Sequence, residues 1–204
     1  GLGATAIVLA NRGYRVESVS PDRELVEYAI QRAAEAGLSD RIGFHIKPFQ
    51  DYAADAPFDW VLFQESFQYF PDPLATLRQA VSFLRPGGRL QIGDQFLTVD
   101  VSREVGRFHF LPRIQGALKE AGLTEHSSFD VSGAALHTNP RMLAKLKAAA
   151  PELVANYKAK KPDIETDIHN MLTCAQQEWD ATVAGHLRYV LMTYDVPGAA
   201  PQNG

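Results

Sequence analysis

Short stretches of this chain gather side chains able to move a proton or hold a small polar molecule. "FQESFQY" (63–69) sets Gln64, Glu65, Ser66, Gln68 and Tyr69 between phenylalanines, and "GRFHFLPR" and "AALHTN" each carry one histidine, His109 and His137. An imidazole titrates near neutrality, so either histidine is a candidate to take a proton from a substrate overhanging a pocket. The first residues, "GLG", form a glycine-spaced turn running into the apolar "ATAIVLA". Such a turn lets backbone approach a ligand where a Cβ would collide. Other chemistries lack support: Ser66 has no glycine-flanked nucleophile elbow, and "DIETDIH" (163–169) reads as a solvated helix start, so no metal site is expected. A plainer reading of 63–70 stays open, in which Phe63, Phe67 and Phe70 are core and the polar residues lead into the next helix. His45, inside a strand, reads as structural; His126 and His186 flank strands.

These groups need a scaffold, and 204 residues with 46% hydrophobic and 22% charged content are enough for one domain with a sizeable core. A net charge of -4 supplies no basic field for nucleic acid or anionic lipid. The single Cys174 excludes an internal disulfide and suits a reducing compartment, so a cytoplasmic setting is expected; no apolar run reaches membrane-spanning length.

Strands are expected at 15–19, 41–46, 58–63, 89–96, 127–133 and 186–196, where β-branched and aromatic residues cluster between turn signals. Helices are expected at 21–37, 72–84 with Asp72 as cap and Pro73 in the first turn, and 111–122. "RPGG" (85–88) breaks the second of these. Alternating strands and helices predict a mainly parallel sheet covered on both faces. Residues 139–184 instead contain helical stretches, "NPRMLAKLKAAAPELVANYKAK" and "DIETDIHNMLTCAQQEWDATVAG", whose Met142, Leu143, Leu146, Met171, Leu172 and Trp179 give apolar faces suited to covering a pocket, completing a core or forming a dimer interface. The expected organisation is a core at 1–135, a helical insertion or lid at 136–185, a last core strand at 186–196 and a disordered tail at 197–204.

Taken in order, "GLG", "SVSPDRELVEYA", "RIGF", "FDWVLFQESFQYFPDPLATLRQAVSFLRPGGRLQIGD" and "ALKEAGL" resemble the class I S-adenosylmethionine-dependent methyltransferases over residues 1–133. The insertion and final strand resemble the small-molecule branch of that family, with its sarcosine, sterol and natural-product enzymes. The resemblance implies a Rossmann-like, doubly wound α/β fold with a mainly parallel sheet, an antiparallel last strand and a helical insertion before it. It also implies that the family's first strand and its acid precede Gly1, so the chain reads as a piece of a longer protein. Gly1 and Gly3 match the last glycines of the family's turn, at the methionine part of the cofactor.

The family's ribose-binding acid falls on Ser20, followed by Pro21 and Asp22, and serine lacks the charge that strengthens such a bond. Its adenine-binding aspartate falls on Pro48, leaving Phe49 to pack on the ring and Gln50 or Asp51 to substitute. Gln64 and Glu65 would edge the cleft where the methyl points, and Gln68 and Tyr69 stand where many relatives carry histidine. The implied catalytic set is Glu65, Tyr69, His109 and His137; the implied cofactor set is Gly1, Gly3, Ser20, Pro21, Phe49, Gln50 and Gln64. The expected function is methyl transfer from S-adenosylmethionine to a small, partly hydrophobic metabolite, without nucleic-acid or membrane partners and with a homodimer open. The alternatives are a protein of the same fold that binds, cyclises or isomerises a small molecule without methyl transfer, and a dinucleotide-dependent oxidoreductase.

Overall fold

The computed structural model describes residues 1–100 and 108–198. The expected tail at 197–204 lies outside the described residues from 199 onward. Two compact units are present, Gly1–Ala56 and Pro57–Gly204.

The first unit runs α1 (Ala4–Asn11), β1 (Val16–Ser20), α2 (Arg23–Glu35), β2 (Ile42–Ile46) and a 3-10 turn, Phe49–Asp51. β1 and β2 pair in parallel with Ser20 opposite Ile46, the geometry that requires a crossover such as α2. Asp22 starts that crossover by accepting the Leu25 N–H at 3.0 Å, a standard N-cap. Ala6, Ala10, Ala33, Leu38 and Ile42 form its core. Gly3 lies close against α2: φ is +74°, and a Cβ there would lie 2.7 Å from that of Ala29. Because the strands are parallel, Ser20–Pro21 and Pro48–Gln50 emerge at the same edge.

The second unit contains β3 (Phe58–Gln64), a 3-10 turn (Phe67–Tyr69), α3 (Pro73–Ser82), β4 (Leu84–Leu97), β5 (His109–Phe110) and α4 (Leu111–Glu120). β6 (Thr124–Asp130), α5 (Ser132–Tyr157), α6 (Ile164–Val183) and β7 (Leu187–Asp195) complete it. Strand order is β3-β4-β7-β6, with β5 paired to the end of β4. β4 is parallel to β3 and β5; β7 is antiparallel to both neighbours. This is the expected α/β arrangement with an antiparallel last strand, and α5 and α6 are the helices inserted before it. Leu90, Ile92, Phe96 and Leu97 of β4 are all fully buried, as befits a central strand covered on both faces. Gly93 in the same strand leaves room for Leu191 of β7, since a Cβ there would sit 2.8 Å from the leucine methyl.

Asp72 caps α3 through the Ala75 N–H at 2.9 Å, with Pro73 at its first position, as the sequence indicates. Other boundaries differ. β4 begins at Leu84, and Arg85–Gly88 bulges out between the pairings Phe58↔Leu84 and Trp60↔Arg89 rather than separating a helix from a strand. β6 begins at Thr124, so His126 lies within it. α5 starts at Ser132, not Asn139. A residue before proline avoids helical backbone in isolation, yet here the helix runs through Pro140. Its start is anchored by tertiary bonds: the Ser132 N–H donates to Asp130 Oδ1 at 2.9 Å, and Ser132 Oγ accepts the Tyr189 N–H at 3.0 Å.

Ile92→Ala tests the central role of β4. Loss of a fully buried branched side chain costs about 2–5 kcal/mol, so the urea midpoint falls while the slope of the transition is unchanged.

Candidate active site

The strand order of the second unit brings the ends of β3 and β4 together, with Gln64 opposite Gly93. Immediately beyond β3, Glu65 adopts φ +50°, the only non-glycine residue with positive φ among the described residues. Its N–H donates to Gly93 O at 2.8 Å, which turns the chain out of the sheet. The following 3-10 turn is then fastened from below by Asp94. This carboxylate is fully buried, and its Oδ2 accepts the N–H groups of Phe67 at 2.6 Å and Gln68 at 3.1 Å, while Oδ1 accepts the Gln95 N–H at 2.8 Å. Burial raises the Asp94 pKa above the usual carboxylate range, the three backbone donors oppose that shift, and the Glu65 charge adds to it.

Glu65 itself receives a hydrogen bond from the Tyr189 hydroxyl at 3.1 Å, across 124 residues of sequence. Burial, then the charge and hydrogen bond of Glu65, push the Tyr189 pKa well above its ordinary value, so the phenol keeps its proton and remains a donor. Glu65, Asp94 and Tyr189 line a cavity of about 440 Å³. Its apolar wall comes from α5, including Ala134, Ala135, Met142, Leu143 and Leu146, and from Ala175 of α6. Polar residues complete the lining, among them Gln68, Gln95, Thr138 and Asn139. A carboxylate oriented by a neutral phenol beside an apolar wall can accept a proton from a small molecule whose body is hydrophobic.

The expected catalytic residues divide. Glu65 lies on the cavity. Tyr69 is 64% exposed, and His137 is exposed on α5; neither lines it, although Thr138 and Asn139 beside His137 do. His109 is also absent from the lining. Its Nε2 faces Phe67 O at 3.1 Å, so that nitrogen carries the hydrogen and donates, and its ring stands edge-on to Phe67, with centroids 5.4 Å apart. Burial is the main cause of its pKa falling below the ordinary 6.5. His109 therefore holds the turn whose N–H groups Asp94 holds from the other side. Phe67 is fully buried between them and packs on Phe63, Phe70 and Phe96. Asp94 and Tyr189 were not singled out from sequence. Asp94 lies in the quoted "RLQIGD", where a carboxylate within an apolar strand is the available signal; Tyr189 has none.

Expected cofactor residues lie at two places. Gly1, Gly3, Ser20, Pro21, Phe49 and Gln50 belong to the first unit, and Gln64 ends β3 in the second. Gly3 precedes α1 in the left-handed conformation, and the space its Cβ would take is filled by Ala29 of α2, so glycine is required there by backbone geometry and packing. At the ribose position Ser20 Oγ accepts the Asp22 N–H at 3.3 Å, leaving its hydrogen to donate but supplying no charge. A left-handed glycine turn and a neutral hydroxyl are the groups that the first unit offers to such a cofactor. No cluster of potential metal ligands occurs among the described residues, and no helix among them is long and apolar enough to cross a membrane.

Residues 1–92 match the family model described as "Methyltransferase domain". The 27-O-demethylrifamycin SV methyltransferase of Amycolatopsis mediterranei is 36% identical over 147 residues, covering 65% of this chain and 54% of that protein. The chain thus spans about half the length of this curated relative. Among solved structures, a Galdieria sulphuraria protein described as a sarcosine dimethylglycine methyltransferase superposes with TM-score 0.83 at 19% identity, covering 98% of this chain and 76% of the other. The [4+2]-cyclase SpnF superposes with TM-score 0.81, also at 19% identity, covering 98% and 72%. The fold is therefore the Rossmann-like methyltransferase fold. Residues 1–92 are thus similar to that methyltransferase domain, and the second half of the chain shares the fold of these structures.

The lowered pKa of His109 has a testable sign. The folded state disfavours the protonated imidazole, so this residue contributes stability above about pH 6.5 that is lost as pH falls toward the lower folded-state value. His109→Gln keeps an amide donor for Phe67 O and does not titrate. Urea unfolding across that range is expected to show a shallower acid-side loss in the variant than in the parent.

Proposed function

We propose that this chain transfers a methyl group from S-adenosylmethionine to a small, partly hydrophobic acceptor, with Glu65 as the base that removes the acceptor's proton. The observation that carries this reading is the Glu65–Tyr189 pair, 3.1 Å apart, on a cavity walled by the apolar faces of α5 and α6. The relative acting on 27-O-demethylrifamycin SV supports a natural product as acceptor. Gly1 and Gly3 would admit the methionine part of the cofactor, Ser20 and Pro21 its ribose, Phe49 and Gln50 its adenine, and Gln64 the edge nearest the acceptor. The bound cofactor would supply an electrophilic methyl on a sulfonium, already a good leaving group. What remains for the protein is alignment and proton removal. In this reading Tyr189 orients Glu65, Asp94 and His109 hold the turn that follows it, and the helical pair excludes water.

Calorimetric titration with S-adenosylmethionine and S-adenosylhomocysteine is expected to give saturable binding of both; no heat from either overturns the proposal. Glu65→Gln preserves shape and the Tyr189 contact but removes the base. Its kcat with a hydroxyl acceptor is expected to fall about 10²–10⁴-fold while cofactor affinity is unchanged.

A second reading retains the cavity and drops methyl transfer. It is favoured by the neutral Ser20, where the family carries a ribose-binding acid, and is in keeping with the fold shared with SpnF, a [4+2]-cyclase. Product formation that continues after cofactor depletion would select it.

A further inference from the structure

The cavity has a consistent polarity that the methyl-transfer reading does not require. Glu65 at the end of β3, Asp94 of β4 and Glu178 of α6 are acidic residues of its lining, the Asp94 oxygens already taken by backbone N–H groups, and no lysine, arginine or histidine lines it among the described residues. Its hydroxyl hydrogens are also committed inward. The Tyr189 hydroxyl donates to Glu65 at 3.1 Å, and Thr138 Oγ1 donates to the Ala134 carbonyl of its own helix at 3.0 Å. The amides of Gln68, Gln95 and Asn139 serve either polarity. An anion entering this space would meet like charges in a partly dry environment, where their repulsion is stronger than in water. An O–H or N–H group would meet acceptors.

We propose that this pocket selects molecules that present hydroxyl or amine donors on an apolar body and rejects those that present a carboxylate. The proposal rests on the cavity being the acceptor site. It names a class of acceptor, neutral alcohols and protonated amines, and assigns Glu178 a specificity-determining role on the wall formed by α6.

Phenethylamine, phenethyl alcohol and phenylacetate share a ring and a two-carbon arm and differ in charge, so they probe the pocket without requiring turnover. Ligand-observed NMR titrations of the protein are expected to rank the amine above the alcohol and the alcohol above phenylacetate, with at least about tenfold between the extremes. Glu178→Gln should narrow that range and Glu178→Lys should bring phenylacetate level with or ahead of the amine, with circular dichroism confirming that each variant is folded. Failure of the amine to bind, equal binding of all three probes, or an unchanged ranking in folded Glu178→Lys would overturn the proposal. Calorimetry with S-adenosylhomocysteine separates this result from the proposed reaction. A charge ranking without cofactor heat leaves the selectivity standing and removes methyl transfer, whereas cofactor heat without a ranking removes the selectivity alone.

Discussion

A carboxylate with no exposure to water sits in the middle of the central strand, and the site is arranged around satisfying it. An unpaired charge at the Asp94 position would be costly, because desolvation in a protein interior amounts to several kcal/mol. The cost is offset by three backbone N–H groups, two of them from the turn that follows β3. That turn cannot move without uncovering the charge. Its fixed position in turn holds Glu65 in a left-handed backbone conformation that a non-glycine residue adopts only when its surroundings impose it.

The same turn is gripped from its carbonyl side by His109. Phe67 therefore has its N–H on an aspartate, its carbonyl on an imidazole and its ring enclosed by other aromatic rings. Such a clamp separates two tasks. Asp94 and His109 spend their polar atoms on the backbone, which leaves Glu65 and Tyr189 as a pair facing the cavity. Among the residues that line this space, those that face chemistry are held by neighbours that do not, the arrangement a positioned base needs.

The helical pair α5 and α6 gives the cavity its other character. It supplies an apolar wall and, through Glu178, a third carboxyl group. Sheet and insertion thus both contribute polar groups to the cavity, while most of its hydrophobic lining comes from the helices. In the first unit Ser20 ends β1 with a neutral hydroxyl that accepts the Asp22 N–H, so that strand end carries no side-chain charge of its own.

Much of this was legible in sequence because it depends on neighbours along the chain. Asp72 announces its helix by capping it three residues on, Gly3 marks a turn that needs positive φ, and the alternation of strands and helices specifies a mainly parallel sheet. Glu65 was visible as a carboxylate at a strand's end. The remainder depends on partners distant in sequence. The Tyr189 hydroxyl reaches Glu65 only because β7 inserts antiparallel beside β4, and Asp94 is buried only because β4 is covered on both faces. His109 shows the limit most directly: residue type marks it as a possible base, while its bond to the Phe67 carbonyl makes it a support. Residue type and spacing determined the local elements and the chemistry available. Tertiary structure decided which groups face the cavity and which hold them there, because hydrogen bonding and burial are set by contacts that local sequence does not encode.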